Sequence, residues 1–429
     1  MAVLVIDGPC RLCGEVRVHG AKNSTLPLLA ACLLCRSPVV LHNCPRLTDV
    51  DTSIKILRHL GCIVQRRKDD LWVDPRAVCG STIPEDLMRE MRSSIVFLGA
   101  LSSRMGQARL SFPGGCELGP RPIDLHLRAL ARLGMDIRED HGELLCSAPG
   151  GLSGCSLSLS FPSVGATENI LLAACCAKGT TVLHGAAQEP EIADLCDFLG
   201  KCGARIQGAG GSTLRIEGVS RLTGCEHTVM PDRIEAATFL CAAAATGGEV
   251  TLSHVIPRHI LPVTAVLEEA GCRIQEEENR LRITAPPRLH AVHAVRTMPY
   301  PGFPTDAQAP MLSALCTAQG TSMLTETIFT ARFKYVGELL RLGAHVKVED
   351  RVAVVEGVSR LSGAPVMAPD LRGGAALLLA GLCAEGETVI DGVSHIDRGY
   401  EKAEESFRLL GAQVCRLPGG RGEEKQSLL

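Results

Sequence analysis

One supersecondary unit recurs six times along this 429-residue chain, and that reuse restricts the fold more than any single motif does. Each copy closes on a glycine: LRHLGCIV, LARLGMDI, FLGKCGARI, LEEAGCRI, LRLGAHV and LRLLGAQV. These are Gly61, Gly134, Gly203, Gly271, Gly343 and Gly411, spaced by 73, 69, 68, 72 and 68 residues. Before each glycine runs an amphipathic pattern such as DVDTSIKILRHL, with apolar residues at i, i+3/i+4 and i+7. Earlier in each unit comes an apolar small-residue helix: LPLLAACLLC, IVFLGALSS, NILLAACCA, AATFLCAAAA, MLSALCTA or ALLLAGLCA. A break follows, containing Gly in five of the six copies, and then a short strand. Further strands precede the first helix and follow the closing glycine, so the unit reads βαβαββ.

A chain of this length exceeds one ordinary core, and six units divide as three plus three. Helices built of Ala and Cys approach one another closely, so they are expected inside, with the sheets facing outward. A linear solenoid fits less well, because its repeats usually run ~20–45 residues with atypical caps. Aromatic content of 3% means cores of small aliphatic residues and cysteine. The net charge of −3 argues against a nucleic-acid or anionic-membrane surface. Of the twenty cysteines, Cys32, Cys35, Cys175, Cys176, Cys241, Cys316 and Cys383 fall in apolar helical stretches, where a thiol acts as a small hydrophobe. Cys32 and Cys35 have C-x-x-C spacing but no partner pair or His cluster, so no metal or redox site is expected there. MAVLVIDGPC lacks the layout of a signal peptide, and the apolar helices fall short of a membrane span. A reduced, cytoplasmic protein is expected.

Chemistry is expected where a unit departs from its siblings. The second carries PGGCELGPRPIDLH (113–126), in which Cys116 follows two glycines and is flanked by turn residues, with Arg121 and Pro122 just before a helix start. The first opens on HGAKNSTLPLL, with Lys22 and Asn23 just ahead of an apolar helix, where an anion would meet its N–H groups. Asp232 in MPDRIEAATFL reads as an N-cap, and Thr305-Asp306 in FPTDAQAPML reads equally as a cap or a functional pair. Arg332 in TARFKYV, Asp370 and Arg372 in APDLRGGAALL, and Asp397 and Arg398 in HIDRGYEK lie at or near helix starts too. In a pseudo-symmetric two-lobed protein these ends face one another across a cleft. Lys and several Arg there suit a small polyanion carrying phosphate and carboxylate, with a thiol and a carboxylate as acid and base.

Across essentially its whole length the chain resembles the UDP-N-acetylglucosamine enolpyruvyl transferases (1-carboxyvinyltransferases). GAKN at 20–23, the PGGC loop, SVGATE at 163–168, FPTD at 303–306, DLR at 370–372 and HIDRGYE at 395–401 match that pattern in order. The resemblance implies an α/β fold of two inside-out α/β barrels, three βαβαββ units in each. One lobe would span 22–229. The other would combine 1–21 with 230–418, leaving 419–429 as a disordered tail. It implies transfer of enolpyruvate from phosphoenolpyruvate to the 3′-hydroxyl of UDP-N-acetylglucosamine with release of phosphate, the first committed step of peptidoglycan precursor synthesis.

By the same resemblance, Lys22, Arg121 and Arg398 would hold the phosphate, with Asn23 alongside, and Arg332 and Arg372 the carboxylate. Cys116 would protonate the methylene carbon or sit covalently on the transferred group, and Asp306 would be the general base. The nucleotide sugar would contact Asn23, Arg92, Arg121, Pro122, Ile123, Asp124, Leu125, Ser163, Val164, Gly165, Asp306 and Ile328. The resemblance implies no metal, no organic cofactor and no obligate protein partner. Two departures stand out: Phe161 where a basic residue is common, and Gly373-Gly374, which predict a looser turn after Arg372. The alternatives are a 5-enolpyruvylshikimate-3-phosphate synthase-type enzyme and a catalytically weak paralogue that only binds the nucleotide sugar.

Overall fold

The computed structural model describes residues 2–112 and 123–418. Cys116, Arg121, Pro122 and the tail expected at 419–429 lie outside the described residues.

Each repeat forms one small mixed sheet, five of four strands and one of five. In the third, strand Ser156–Ser158 pairs in parallel with Thr180–His184, which pairs antiparallel with Thr213–Glu217, and Arg205–Gln207 forms the far edge. The parallel step requires a helical crossover and the antiparallel step only a tight connection, which is how βαβαββ reads in space. At the closing glycines the amphipathic helix must turn sharply into the next strand. All six adopt positive φ, at 102°, 99°, 102°, 99°, 86° and 93°, a conformation that costs glycine little and other residues more.

The sheets are not filled in simple chain order. Strand Cys13–Arg17 completes the sheet of Glu249–Ser253, and Ala2–Gly8 lies between Ala384–Asp391 and Gln413–Pro418. Strand Glu226–Thr228 returns to pair with Val39–His42. Two hydrophobic cores result: one from residues between 26 and 229, the other from residues 4–18 together with 236–414.

Three apolar helices pass through each core: Lys22–Cys32, Phe97–Met105 and Val164–Ala174 in one, Arg233–Ala245, Thr305–Leu315 and Leu371–Cys383 in the other. Nearly every residue of these helices is buried, and Ala, Gly and Cys let their backbones approach closely. Gly99 shows how closely: a Cβ there would collide with the main-chain carbonyl of Asn169 on the neighbouring helix. The Gly99 N–H donates to Asn169 Oδ1 at 2.6 Å, and Asn169 Nδ2 donates to Ile95 O at 3.0 Å. Gly99→Ala is expected to cost about 1–3 kcal/mol through overpacking, read as a lower midpoint in chemical unfolding. No helix among the described residues is long and apolar enough to cross a membrane.

Gly373 and Gly374 do not form the loose turn predicted for them. They lie in the first turn of Leu371–Cys383, where a Cβ on Gly373 would come within 2.8 Å of Tyr335 Cβ and one on Gly374 within 2.6 Å of Ile396 Cγ1. Their missing side chains are what lets those neighbours pack in.

Two chain crossings run side by side between the cores. The Ala21 N–H donates to Met230 O at 2.7 Å and the Asp232 N–H to His19 O at 2.8 Å. This pairing sets the starts of helices Lys22–Cys32 and Arg233–Ala245 next to each other, and the site is assembled at such starts.

Candidate active site

Lys22 and Asn23 are the first two residues of their helix, rather than lying ahead of it as predicted. Asp232 is the N-cap expected, accepting from the Ile234 and Glu235 N–H groups, and its second oxygen accepts from the Lys22 N–H at 3.2 Å. Asp370 caps its own helix through the Arg372 and Gly373 N–H groups. Asp306 is different. Its helix starts at Thr305 with no side-chain cap, which frees the Asp306 carboxylate for ion pairing.

That carboxylate is clamped by two guanidinium groups. Arg332 Nη2 donates to Oδ1 at 2.7 Å and Arg372 Nη2 to Oδ2 at 3.0 Å. Both arginines are almost fully buried. Burial alone would raise the Asp306 pKa, but Arg372 and Arg332 outweigh it and hold the carboxyl far below the usual carboxylate range. Arg332 Nη2 also donates to Thr305 O, and Arg372 Nη1 to the Tyr400 hydroxyl at 3.0 Å, with the Arg372 guanidinium over the Tyr400 ring. The Nε of each arginine is buried with no hydrogen-bond partner among the described residues. Leaving such donors unmet is costly, so a pair of them marks a place for an anion.

A second carboxylate organises the remaining cations. Asp49, on helix Thr48–His59 and 2% exposed, takes Lys22 Nζ at 2.7 Å and Arg398 Nε at 2.9 Å. Although burial opposes it, Lys22 and Arg398 hold the Asp49 carboxyl below its ordinary pKa. Burial, with Arg398 nearby, presses the Lys22 ammonium pKa down against the pull of Asp49. Among the described residues, Lys22, Arg332, Arg372 and Arg398 thus gather on the carboxylates of Asp49 and Asp306, a concentration of cations that suits a multiply charged anion.

Of the residues predicted for a nucleotide sugar, Ile123, Asp124, Leu125, Ser163, Val164 and Gly165 lie at or near helix starts Asp124–Arg132 and Val164–Ala174, whereas Asn23, Asp306 and Ile328 belong to the cation cluster or its neighbourhood. Ser163 caps the latter through the Ala166 N–H, placing Val164 and Gly165 in its first turn. The position a Gly165 Cβ would take is 3.0 Å from the His126 ring, and Asn169 Nδ2 lies 2.7 Å from His126 Nδ1. Ile123 is buried, and Asp124 pairs with Arg128 at 3.5 Å. Arg92 opens a short 3-10 helix close enough for its charge to bear on His126. Ile328 donates its N–H to Glu326 Oε1 at 2.7 Å, and Thr305 Oγ1 donates to the other oxygen of this carboxylate. Glu326 therefore ties Ile328 to the start of the Asp306 helix. Phe161, two residues before Ser163, is exposed.

Sequence reasoning missed Asp49, His126, Tyr400 and Glu326, as well as the buried pair of Arg233 Nε with Glu191 Oε1 at 2.9 Å. Asp49 looks like any acidic residue in a helix first turn, and nothing local marks its burial. Burial and then Arg92 push the His126 pKa down to about 4, so the ring is neutral at physiological pH. The sign follows: between about pH 6.5 and 4 the unfolded chain binds a proton here that the folded chain refuses, so stability falls as pH drops through that window. Midpoints of thermal unfolding are expected to fall less steeply over that range in His126→Gln. Among the described residues no group of three or more His, Cys, Asp or Glu is arranged to hold a metal ion.

Six βαβαββ units around two helical cores, with cations and carboxylates meeting at helix starts, define the enolpyruvyl (carboxyvinyl) transferase class. The sequence profile described as EPSP synthase (3-phosphoshikimate 1-carboxyvinyltransferase) matches residues 6–407. The fold is similar to that of the enolpyruvyl transferase NikO from Streptomyces tendae, with TM-score 0.87, 28% identity, and coverage of 97% of this chain and 98% of that one. EPSP synthase from Acinetobacter baumannii shares the fold at TM-score 0.74 and 17% identity, covering 97% of this chain and 100% of that one. UDP-N-acetylglucosamine 1-carboxyvinyltransferase 2 of Caldanaerobacter subterraneus subsp. tengcongensis is 52% identical over 97% of this chain and 100% of its own length. UDP-N-acetylglucosamine 1-carboxyvinyltransferase 1 of Symbiobacterium thermophilum is 53% identical over 96% and 95%. The chain belongs to the UDP-N-acetylglucosamine 1-carboxyvinyltransferase family of enolpyruvyl transferases.

Proposed function

We propose that this protein transfers the enolpyruvyl group of phosphoenolpyruvate to the 3′-hydroxyl of UDP-N-acetylglucosamine and releases phosphate, opening peptidoglycan precursor synthesis in the cytoplasm. The observation that carries this reading is the Asp306 clamp: two buried arginines, each with an Nε that has no partner among the described residues, beside a carboxylate able to act as a base. Arg332 and Arg372 bind the substrate carboxylate. Lys22, Arg398 and Arg121 bind the phosphate. Asn23 supports that site. Arg92, the run Arg121, Pro122, Ile123, Asp124 and Leu125, the segment Ser163, Val164 and Gly165, and Ile328 hold the nucleotide sugar.

Protonation of the methylene carbon by Cys116 builds oxocarbenium-like charge on the neighbouring carbon. Asp306 removes the proton of the attacking 3′-hydroxyl and stabilises that charge; the adduct then breaks its C–O bond to phosphate and returns a methyl proton to the Cys116 thiolate, which restores the vinyl group. In this scheme the clamp has a second effect. When the substrate carboxylate takes donors from Arg332 and Arg372, Asp306 loses part of the pairing that keeps it weakly basic, so its basicity rises as the substrates assemble. The two cores support a division into lobes at residues 22 and 230, with residues 1–21 belonging to the second.

Phosphate release from phosphoenolpyruvate under reducing conditions tests the proposal, with UDP-N-acetylglucosamine and shikimate 3-phosphate compared as acceptors. Release with the nucleotide sugar alone is expected. Release with shikimate 3-phosphate would move the protein to the sister activity, and nucleotide-sugar binding without release would make it a sensor.

A further inference from the structure

A second concentration of arginine lies away from this site. Arg36, Arg76, Arg104 and Arg221, with Ser220, line a cavity of about 390 Å³. Backbone contacts assemble it from distant parts of the first core. Arg36 follows helix Lys22–Cys32, and Arg221 is brought beside it by the Cys35–Leu222 bridge, where the Arg36 N–H donates to Leu222 O at 2.9 Å. Arg104, in the last turn of Phe97–Met105, donates to Cys35 O at 3.2 Å and Pro75 O at 3.3 Å, which ties in the segment bearing Arg76. Arg76 in turn is fixed on Asp74, with Nη2 to Oδ2 at 2.7 Å.

These contacts neutralise Arg76 but only position the other three arginines. Among the described residues, Asp74 is the one carboxylate paired with any of the four, and the Arg36 and Arg221 guanidinium groups have no carboxylate or carbonyl partner. Burial, and after it the adjacent Arg36 charge, press the Arg104 pKa down. The chain as a whole carries −3, so this density is not the product of a generally basic surface. Lys22 begins the helix after which Arg36 falls, and eleven residues rise about 16 Å, so the cavity lies a helix length from the catalytic cations.

We propose that this cavity is a binding site for a small soluble polyphosphate, an anion with two or more phosphate groups, distinct from the catalytic site. The Arg36 and Arg221 guanidinium groups, not taken up by protein acceptors among the described residues, can meet phosphate oxygens in bidentate fashion, with Arg104 and Arg76 adding positive charge alongside. The depression is open and the cationic patch small, which suits a short soluble anion, and the net negative charge of the chain disfavours a membrane surface.

The test is calorimetric titration with pyrophosphate on the full chain, in wild type, Lys22→Ala and Arg36→Ala/Arg221→Ala. Pyrophosphate is expected to bind wild type, to bind Lys22→Ala with unchanged affinity at this site, and to bind the double variant about tenfold or more weakly. Binding should weaken with added salt, and phosphate release by the double variant should match wild type. Arg36 and Arg221 are exposed, so the double variant should keep the wild-type melting temperature; Arg221→Glu alone is the check if it does not. Loss of binding in Lys22→Ala with retention in the double variant would assign all anion binding to the catalytic site and overturn the proposal. Absence of pyrophosphate binding would overturn it too, as would binding only to phosphatidylglycerol vesicles.

Discussion

Asp306→Asn is expected to lower kcat by about 10²–10⁴, the range general base catalysis contributes, while leaving a folded protein. Asparagine keeps the shape and one acceptor oxygen, so either Arg332 or Arg372 retains a contact. What it removes is the negative charge between two buried cations and the ability to take a proton. A stability loss should accompany the kinetic one, because breaking a buried pair by removing one partner typically costs about 3–5 kcal/mol and the amide recovers part of it. The pH profile separates the two effects. The arginines keep Asp306 ionised well below neutrality, so wild-type stability should show no Asp306 titration near pH 7. Near-normal kcat in a well-folded Asp306→Asn would remove this carboxylate from the chemistry.

Asp49→Ala is expected to give the larger loss of stability and a rise in KM for phosphoenolpyruvate exceeding any fall in kcat. Asp49 is a positioning residue: it fixes Lys22 and Arg398, which come from opposite ends of the chain, onto one spot. Its removal leaves Lys22 buried with no carboxylate partner among the described residues. The penalty should fall toward the lower end of about 3–5 kcal/mol, because the Arg398 side chain is 33% exposed and water screens its pairing with Asp49. Urea unfolding and a separate determination of kcat and KM would check both parts. If Asp49→Asn restores KM without restoring the charge, then shape rather than ion pairing holds the cations.

The Asp232 cap was legible because a cap is local: the carboxylate bonds to N–H groups two and three residues ahead, as the Asp370 carboxylate also does in the structure. Thr305-Asp306 looked the same, yet the acid there serves Arg332 and Arg372, 26 and 66 residues away. Gly373 and Gly374 were misread for a related reason. Glycine after a helix start suggests freedom, but here its role is contact with Tyr335 and Ile396, which no local pattern announces. His126 also escaped notice, since a lone histidine on an amphipathic helix gives no sign that Asn169 and Gly165 will close around it.

The sequence by itself determined the sixfold unit, the glycine that closes each copy, and which helices are apolar enough to be buried. Those properties depend on side-chain periodicity and backbone conformation over a few residues, so they survive without knowledge of the rest of the chain. Motif resemblance also gave the residue types of the site. Only the tertiary structure decided which carboxylate meets which cation. Asp49 and Arg398 are 349 residues apart, and nothing in that separation specifies a distance of 2.9 Å. Two cores joined by paired crossings bring the helix starts together, and burial there turns ordinary surface charges into a coupled set.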